Sequence, residues 1–97
     1  MYFVYILKCA DETLYTGYSN DLDNRIAKHN EGKAAKYTRN RRPVQLVYFE
    51  ELTSKSEAMK IEHAIKKLTR QEKLTLIETK PIQNSYQKKS PGGISNE

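Results

Sequence analysis

Five side chains in the first two-thirds of the sequence are chemically suited to handling a phosphate group: Tyr5, Tyr15, Arg25, His29 and Glu62. An arginine keeps its charge at any working pH and presents a planar fork of N–H donors that matches phosphate oxygens. A histidine can hydrogen-bond a phosphate or move a proton. Near a helix C-terminus it can instead serve as the cation that complements the last carbonyls. Phenolic hydroxyls can line a polar patch, and a glutamate supplies an anionic oxygen pair.

Each residue also has a plainer reading. Tyrosines are common in strands, where most are half-buried packing with the hydroxyl at the surface. Arg25 could be solvated beside Glu31 or Asp21, and Glu62 could pair with Lys66 one helical turn on. Two spacings bear on whether these residues can share a site. Arg25 and His29 stand at i and i+4, so a helix points both from one side. If a hairpin turn is centred on Asp11, pairing partners sum to 22, which sets Tyr5 opposite Gly17 and Leu7 opposite Tyr15 on one face. A two-residue turn at Asp11–Glu12 would put the tyrosines on opposite faces. A shared site therefore requires an odd-length turn or a bulge.

The elements that must hold these residues can be read in order. Residues 2 to 9 are rich in Tyr, Phe, Val and Ile and predict a strand, and Leu14 to Tyr18 predict a second. Asn20 or Asp21 caps a helix over about 21 to 31, carrying Leu22 and Ile26 and ending at Gly32. Lys33 to Arg42 has no apolar period and precedes Pro43, which predicts a loop. Val44 to Glu51 predicts a third strand, with Val44, Leu46 and Tyr48 alternating against Gln45, Val47 and Phe49. Ser54–Lys55–Ser56–Glu57 is a capping-box pattern, and Ala58, Ile61, Ile65 and Leu68 follow at helical spacing over about 54 to 68. Thr69–Arg70–Gln71–Glu72 repeats that pattern and starts a third helix carrying Leu74 and Ile77. The expected fold is α+β, a three-stranded antiparallel sheet flanked by helices in β-β-α-β-α-α order. Residues 1 to 79 form one domain in this reading. From Lys80 to Glu97 the Pro, Gly, Ser, Asn and Lys content predicts a disordered tail.

Composition bounds the function. A chain of 97 residues, 37% hydrophobic and 30% charged, has room for one modest core. No apolar stretch is long enough to span a bilayer, and the first residues lack signal-peptide features, which places the expectation in the cytoplasm. Cys9 is the single cysteine, so an internal disulfide is excluded. The net charge of +5 is clustered, with Lys33, Lys36, Arg39, Arg41 and Arg42 in one stretch and Lys66, Lys67, Arg70 and Lys73 in another. Such patches favour a polyanion, because neutralising phosphates releases condensed counterions.

Phe3–Val4–Tyr5, then Tyr15–Thr16–Gly17, then Arg25 with His29, then Glu62, in this order and spacing, resemble the signature of the GIY-YIG nuclease superfamily. The resemblance covers about residues 2 to 77. It is strongest to the small single-domain bacterial members, through His29–Asn30–Glu31–Gly32–Lys33 and Ala35–Lys36–Tyr37–Thr38. Phe3, Val4 and Thr16 depart from the name-giving triplets, while both phenols and Gly17 are kept. Some members also use an asparagine after the glutamate helix, but Asn84 falls in the predicted tail and is not assigned that role. The resemblance implies a metal-dependent endonuclease acting on DNA, or on RNA, that leaves a 5′-phosphate and a 3′-hydroxyl. It implies that Glu62 holds one Mg²⁺ or Mn²⁺, that Arg25 neutralises developing charge, and that Tyr5 or Tyr15 orients or deprotonates the attacking water, with Tyr5 preferred as the base. A phenol of pKa about 10 needs roughly 4 kcal/mol of electrostatic help to lose ~3 units, and the basic loop, Arg25 and the metal are the expected sources. Lys33, Lys36, Tyr37, Arg39, Arg41 and Arg42 are expected to hold flanking nucleic acid, with Tyr37 available to stack on an unpaired base. So few contacts imply weak binding, hence structured or damaged DNA or a protein partner that delivers substrate. The competing readings are a nucleic-acid-binding module without turnover and an accessory subunit.

Overall fold

In the computed structural model, which describes residues 1–80, strand β1 (Tyr2–Lys8) is the centre of a three-stranded antiparallel sheet. Strand β2 (Leu14–Ser19) pairs on one side and β3 (Gln45–Leu52) on the other, giving the order β2-β1-β3. The β1–β2 register sets Tyr5 opposite Gly17 and Leu7 opposite Tyr15, and Lys8 opposite Leu14 leaves an odd connection over residues 9–13. That connection closes with Cys9 N–H donating to Thr13 O (2.8 Å) and with Glu12 at φ 72°. The Asp11 carboxylate accepts from both the backbone N–H and the hydroxyl of Thr13. This local turn chemistry favours the odd register, which puts both tyrosines on one face.

Helix α1 (Leu22–Asn30) is capped by Asp21, which accepts from Asn24 N–H at 3.3 Å, and the chain turns away from it at Gly32, whose φ of 80° favours glycine. It covers the odd-numbered face of β1 over a cluster of Tyr5, Leu7, Cys9, Leu22, Ile26, Val44 and Leu46. Helices α3 (Lys55–Lys66) and α4 (Arg70–Thr79) lie on the other face, over Val4, Ile6, Tyr48, Ala58 and Ile65. Ser54 caps α3 through Glu57 N–H, but the Glu57 carboxylate bonds the Thr53 hydroxyl; the reciprocal capping box forms only at Thr69–Glu72 of α4. Of the residues expected to anchor α4, Ile77 packs on this cluster and Leu76 joins it, with Leu74 outside.

Two further departures from the sequence reading concern backbone structure. A single helical turn, α2 (Lys36–Arg39), stands inside the stretch expected to be loop. It has no side-chain cap of its own and is anchored by tertiary contacts of Thr38. In β3 the alternation is broken by a bulge: Ile6 faces Tyr48 while Leu7 faces Leu46, so Val47 is the extra residue. Leu46 and Tyr48, expected on one face, therefore enter opposite cores. The expected disordered tail lies, from residue 81 on, outside the described residues. Among the described residues no helix is long and apolar enough to cross a membrane.

Thr16 is 3% exposed and faces the α3 side of the sheet, opposite Ile6. Its Oγ1 is the buried side-chain polar atom that has no partner among the described residues. An unpaired buried hydroxyl costs about 1–3 kcal/mol. Thr16→Val is therefore expected to stabilise the fold by about 1 kcal/mol, seen as a higher denaturation midpoint with an unchanged m-value.

Candidate active site at the β2 edge

The edge of β2, between α1 and α3, is open as a cavity of about 440 Å³. Tyr5, Tyr15 and Gly17 come to it from the strands, Arg25 from α1 and Glu62 from α3. The hairpin register brings the phenols together, with ring centroids 6.5 Å apart. Gly17 is required between them, because a Cβ there would lie 2.7 Å from the Tyr5 hydroxyl and 3.2 Å from the Tyr15 ring. Arg25 makes no ion pair with a carboxylate among the described residues, so neither Asp21 nor Glu31 neutralises it. Glu62 is paired with Lys66 (3.3 Å) and its side chain is only 18% exposed; it is also the sole carboxylate lining the cavity.

His29 occupies a different place. It does not line the cavity, and it is 1% exposed behind Tyr5, with Nε2 2.9 Å from the Tyr5 hydroxyl and Nδ1 2.8 Å from the Thr38 hydroxyl. The Thr38 hydroxyl donates to Ala35 O at 3.2 Å, and a carbonyl can only accept. The Thr38 oxygen therefore accepts from Nδ1–H, which leaves Nε2 bare to accept the Tyr5 O–H. The result is a directed chain from Tyr5 through His29 and Thr38 to Ala35 O. Thr38 is 0% exposed and is a member of this chain that the sequence reading assigned no role.

Burial, then the Arg25 charge, pulls the His29 pKa down to about 4, so the ring is neutral at pH 7 and does not act as the cation at the α1 C-terminus. Unfolded, the ring regains an ordinary value near 6.5, so between these values the unfolded chain binds the extra proton. The His29 contribution is thus fully present above about pH 6.5 and declines as pH falls toward 4. Stability is expected to drop by up to about 3 kcal/mol over that window, and His29→Gln should flatten this part of the urea-stability profile.

Tyr5 is 2% exposed, and its phenol is pushed well above the ordinary tyrosine range. Burial is the main cause, the neighbouring Tyr15 and Glu62 add to it, and Arg25 opposes it. Of the charges expected to lower the phenol, Arg25 acts in that direction, but desolvation outweighs the single guanidinium.

The six basic-loop residues do not line the cavity. Arg41 Nε pairs with Asp11 (2.9 Å), its Nη1 donates to Tyr37 O, and its guanidinium lies 4.2 Å over the Tyr37 ring. Tyr37 in turn stands 5.7 Å from Tyr15, so it buttresses the site from outside. Arg42 donates to Arg39 O and Asn30 O, closing the end of α1. Lys33 pairs with Glu31 at 3.6 Å. Lys36 and Arg39 are exposed and enter no ion pair among the described residues. Conversely, the cavity is also lined by Tyr2, Tyr18, Ser19, Asn20 and Lys55, which sequence reasoning did not single out. Lys55 carried a signal, because it stands seven residues, or about two turns, before Glu62 on one helix face.

The protein is thus a small α+β domain in which two strand phenols, an arginine without an ion-pair partner among the described residues and a helix-borne glutamate share one edge cavity. Residues 1–75 match the family described as the GIY-YIG catalytic domain, and the chain belongs to this nuclease superfamily. Among its relatives is the UPF0213 protein CPE1444 of Clostridium perfringens, 57% identical over 89 residues that cover 91% of this chain and 96% of that protein. The UPF0213 protein SERP0126 of Staphylococcus epidermidis is 60% identical over 79% of this chain and 94% of its own length. The solution NMR structure of the UPF0213 protein BH0048 from Bacillus halodurans has a TM-score of 0.58 at 43% identity and full coverage of both chains.

Proposed function

We propose that this protein is a metal-dependent endonuclease that hydrolyses a DNA phosphodiester in the cavity at the β2 edge. The observation that supports this reading best is the convergence of Tyr5, Tyr15, Arg25 and Glu62, from four separate elements, on one solvent-open cavity. Glu62 fits a divalent cation. Among the described residues no group of three or more His, Cys, Asp or Glu forms a protein cage. A small hard ion such as Mg²⁺ (or Mn²⁺) suits a single carboxylate, since it keeps several waters and shares substrate phosphate oxygens. When bound, such an ion polarises the phosphate and stabilises the departing 3′-oxygen.

The chain's own residues supply the rest. Arg25, free of a carboxylate partner among the described residues, stabilises charge on the equatorial phosphate oxygens. Tyr15 positions the phosphate or the water by hydrogen bonding. Tyr5 acts as a neutral relay: its oxygen accepts a proton from the attacking water as its own proton moves to His29 Nε2, 2.9 Å away. The hydroxide so formed attacks phosphorus, and the P–O3′ bond breaks to leave a 5′-phosphate and a 3′-oxygen, which takes a proton from solvent water in the open cavity to become the 3′-hydroxyl. The imidazolium is held by Thr38 through Nδ1–H, and the incoming anionic phosphate offsets the Arg25 charge that otherwise disfavours it. Phenolate formation, opposed by burial, is not needed. The open cavity and the few free cations suit branched or damaged DNA, as met in repair or recombination.

The test is Mg²⁺-dependent nicking of labelled branched and single-stranded DNA by wild type, Glu62→Ala and Arg25→Ala. Wild type is expected to cut, and each variant to lose about 10²-fold or more in rate. Equal cutting by all three marks a contaminant. Binding without cutting across the panel overturns the reading in favour of a binding module.

A further inference from the structure

Lys55 lines the same cavity as Arg25 and Glu62, yet the mechanism above does not use it. It is exposed, at the first position of α3, and enters no ion pair among the described residues. Tyr2, Tyr18 and Asn20, which line the same cavity, are uncharged. The cavity therefore has two cationic walls, Arg25 from α1 and Lys55 from α3, with Glu62 as its single acid. The Glu62 charge is moreover shared with Lys66.

We infer that Lys55 grips a backbone phosphate adjoining the scissile one, so that the substrate strand runs along α3 from the Glu62 end toward the Lys55 end. Seven residues separate the two, which places their backbone positions about 10 Å apart along the helix axis and on the same face. A group that far from the metal-ligating carboxylate is suited to the next phosphate along the strand and not to the one under attack. Tyr18 and Asn20 add neutral hydrogen-bonding groups to the same cavity. A lysine at this place acts as a point charge, so it gives affinity and strand placement without reading sequence. Lys55 is accordingly a positioning residue, and its effect belongs in KM. The inference rests on the nuclease reading of the cavity.

The experiment measures binding of a labelled oligonucleotide by fluorescence anisotropy across a salt series. It compares Glu62→Gln, in which turnover is silenced, with Glu62→Gln carrying Lys55→Ala or Lys55→Arg. Removing one phosphate contact should weaken binding about tenfold at moderate salt and lower the magnitude of the log–log salt slope by about 0.7 to 0.9. Arginine should restore both. In the otherwise wild-type protein, Lys55→Ala should raise KM about tenfold with little change in kcat, and thermal stability should stay unchanged because the side chain is exposed. If the parent binds and wild type cuts, but Lys55→Ala alters neither slope nor KM, this inference fails while the nuclease reading stands. A fall in kcat with KM unchanged also overturns it, by placing Lys55 at the reacting phosphate. If the parent does not bind and wild type does not cut, the nuclease reading itself fails, and this one with it.

Discussion

Glu62→Gln should lower the cleavage rate at saturating Mg²⁺ by about 10³-fold or more while leaving the fold intact. The substitution keeps shape and hydrogen-bonding capacity but removes the charge that a hard cation requires, and a metal contributes several kcal/mol to a phosphoryl-transfer barrier. The same change frees Lys66 from its 3.3 Å partner, which, for a pair this close to the surface, alters stability by less than about 1 kcal/mol. A lost rate with a preserved melting curve is thus the expected signature. Lys66 competes with any cation for the Glu62 oxygens, so raising Mg²⁺ should titrate activity in wild type and leave Glu62→Gln silent.

Tyr5→Phe is the second large effect, a fall in kcat of about 10²- to 10⁴-fold, the usual range for losing a positioned proton-transfer group. It should also cost about 1–3 kcal/mol of stability, since the Nε2 of His29, a residue only 1% exposed, loses its 2.9 Å partner. The pH–rate profile distinguishes the neutral relay from a phenolate base. With the relay, activity fails on the acid side as His29 takes up a proton, with a midpoint displaced below 6.5 toward its value of about 4, and it levels off above neutrality. A phenolate base would instead give a rate that keeps climbing tenfold per pH unit into the alkaline range, because burial holds the Tyr5 phenol above its ordinary value.

The parts of this site legible in the sequence are those set by short-range rules. The pairing sum that places Tyr5 beside Gly17 depends only on the centre of the hairpin, and the Asp11–Thr13 hydrogen bonds give that turn a local cause. Arg25 is on the expected helix and Glu62 on the next long one, each at the spacing of a family signature. What was not legible is tertiary. The side of α1 that carries His29 was readable, but its burial behind Tyr5 depends on Thr38, nine residues on, in a turn too short to show an apolar period. The Leu46–Tyr48 face change follows from one bulged residue, which alternation counting passes over. Composition does not show that Arg41 and Arg42 bind Asp11 and backbone carbonyls, or that Lys55, outside any basic cluster, lines the cavity.

The claim on which all of this depends is that the β2-edge cavity binds a catalytic cation through Glu62 beside Tyr5 and Arg25. Anomalous diffraction from crystals of the protein soaked in Mn²⁺ with a non-cleavable phosphorothioate strand measures it directly. A manganese peak against the Glu62 carboxylate, with a phosphate between it and Arg25 and no peak in Glu62→Gln crystals, is the expected result. A strand bound on another face, or manganese bound away from Glu62 with the cavity accessible in the lattice, would contradict the account.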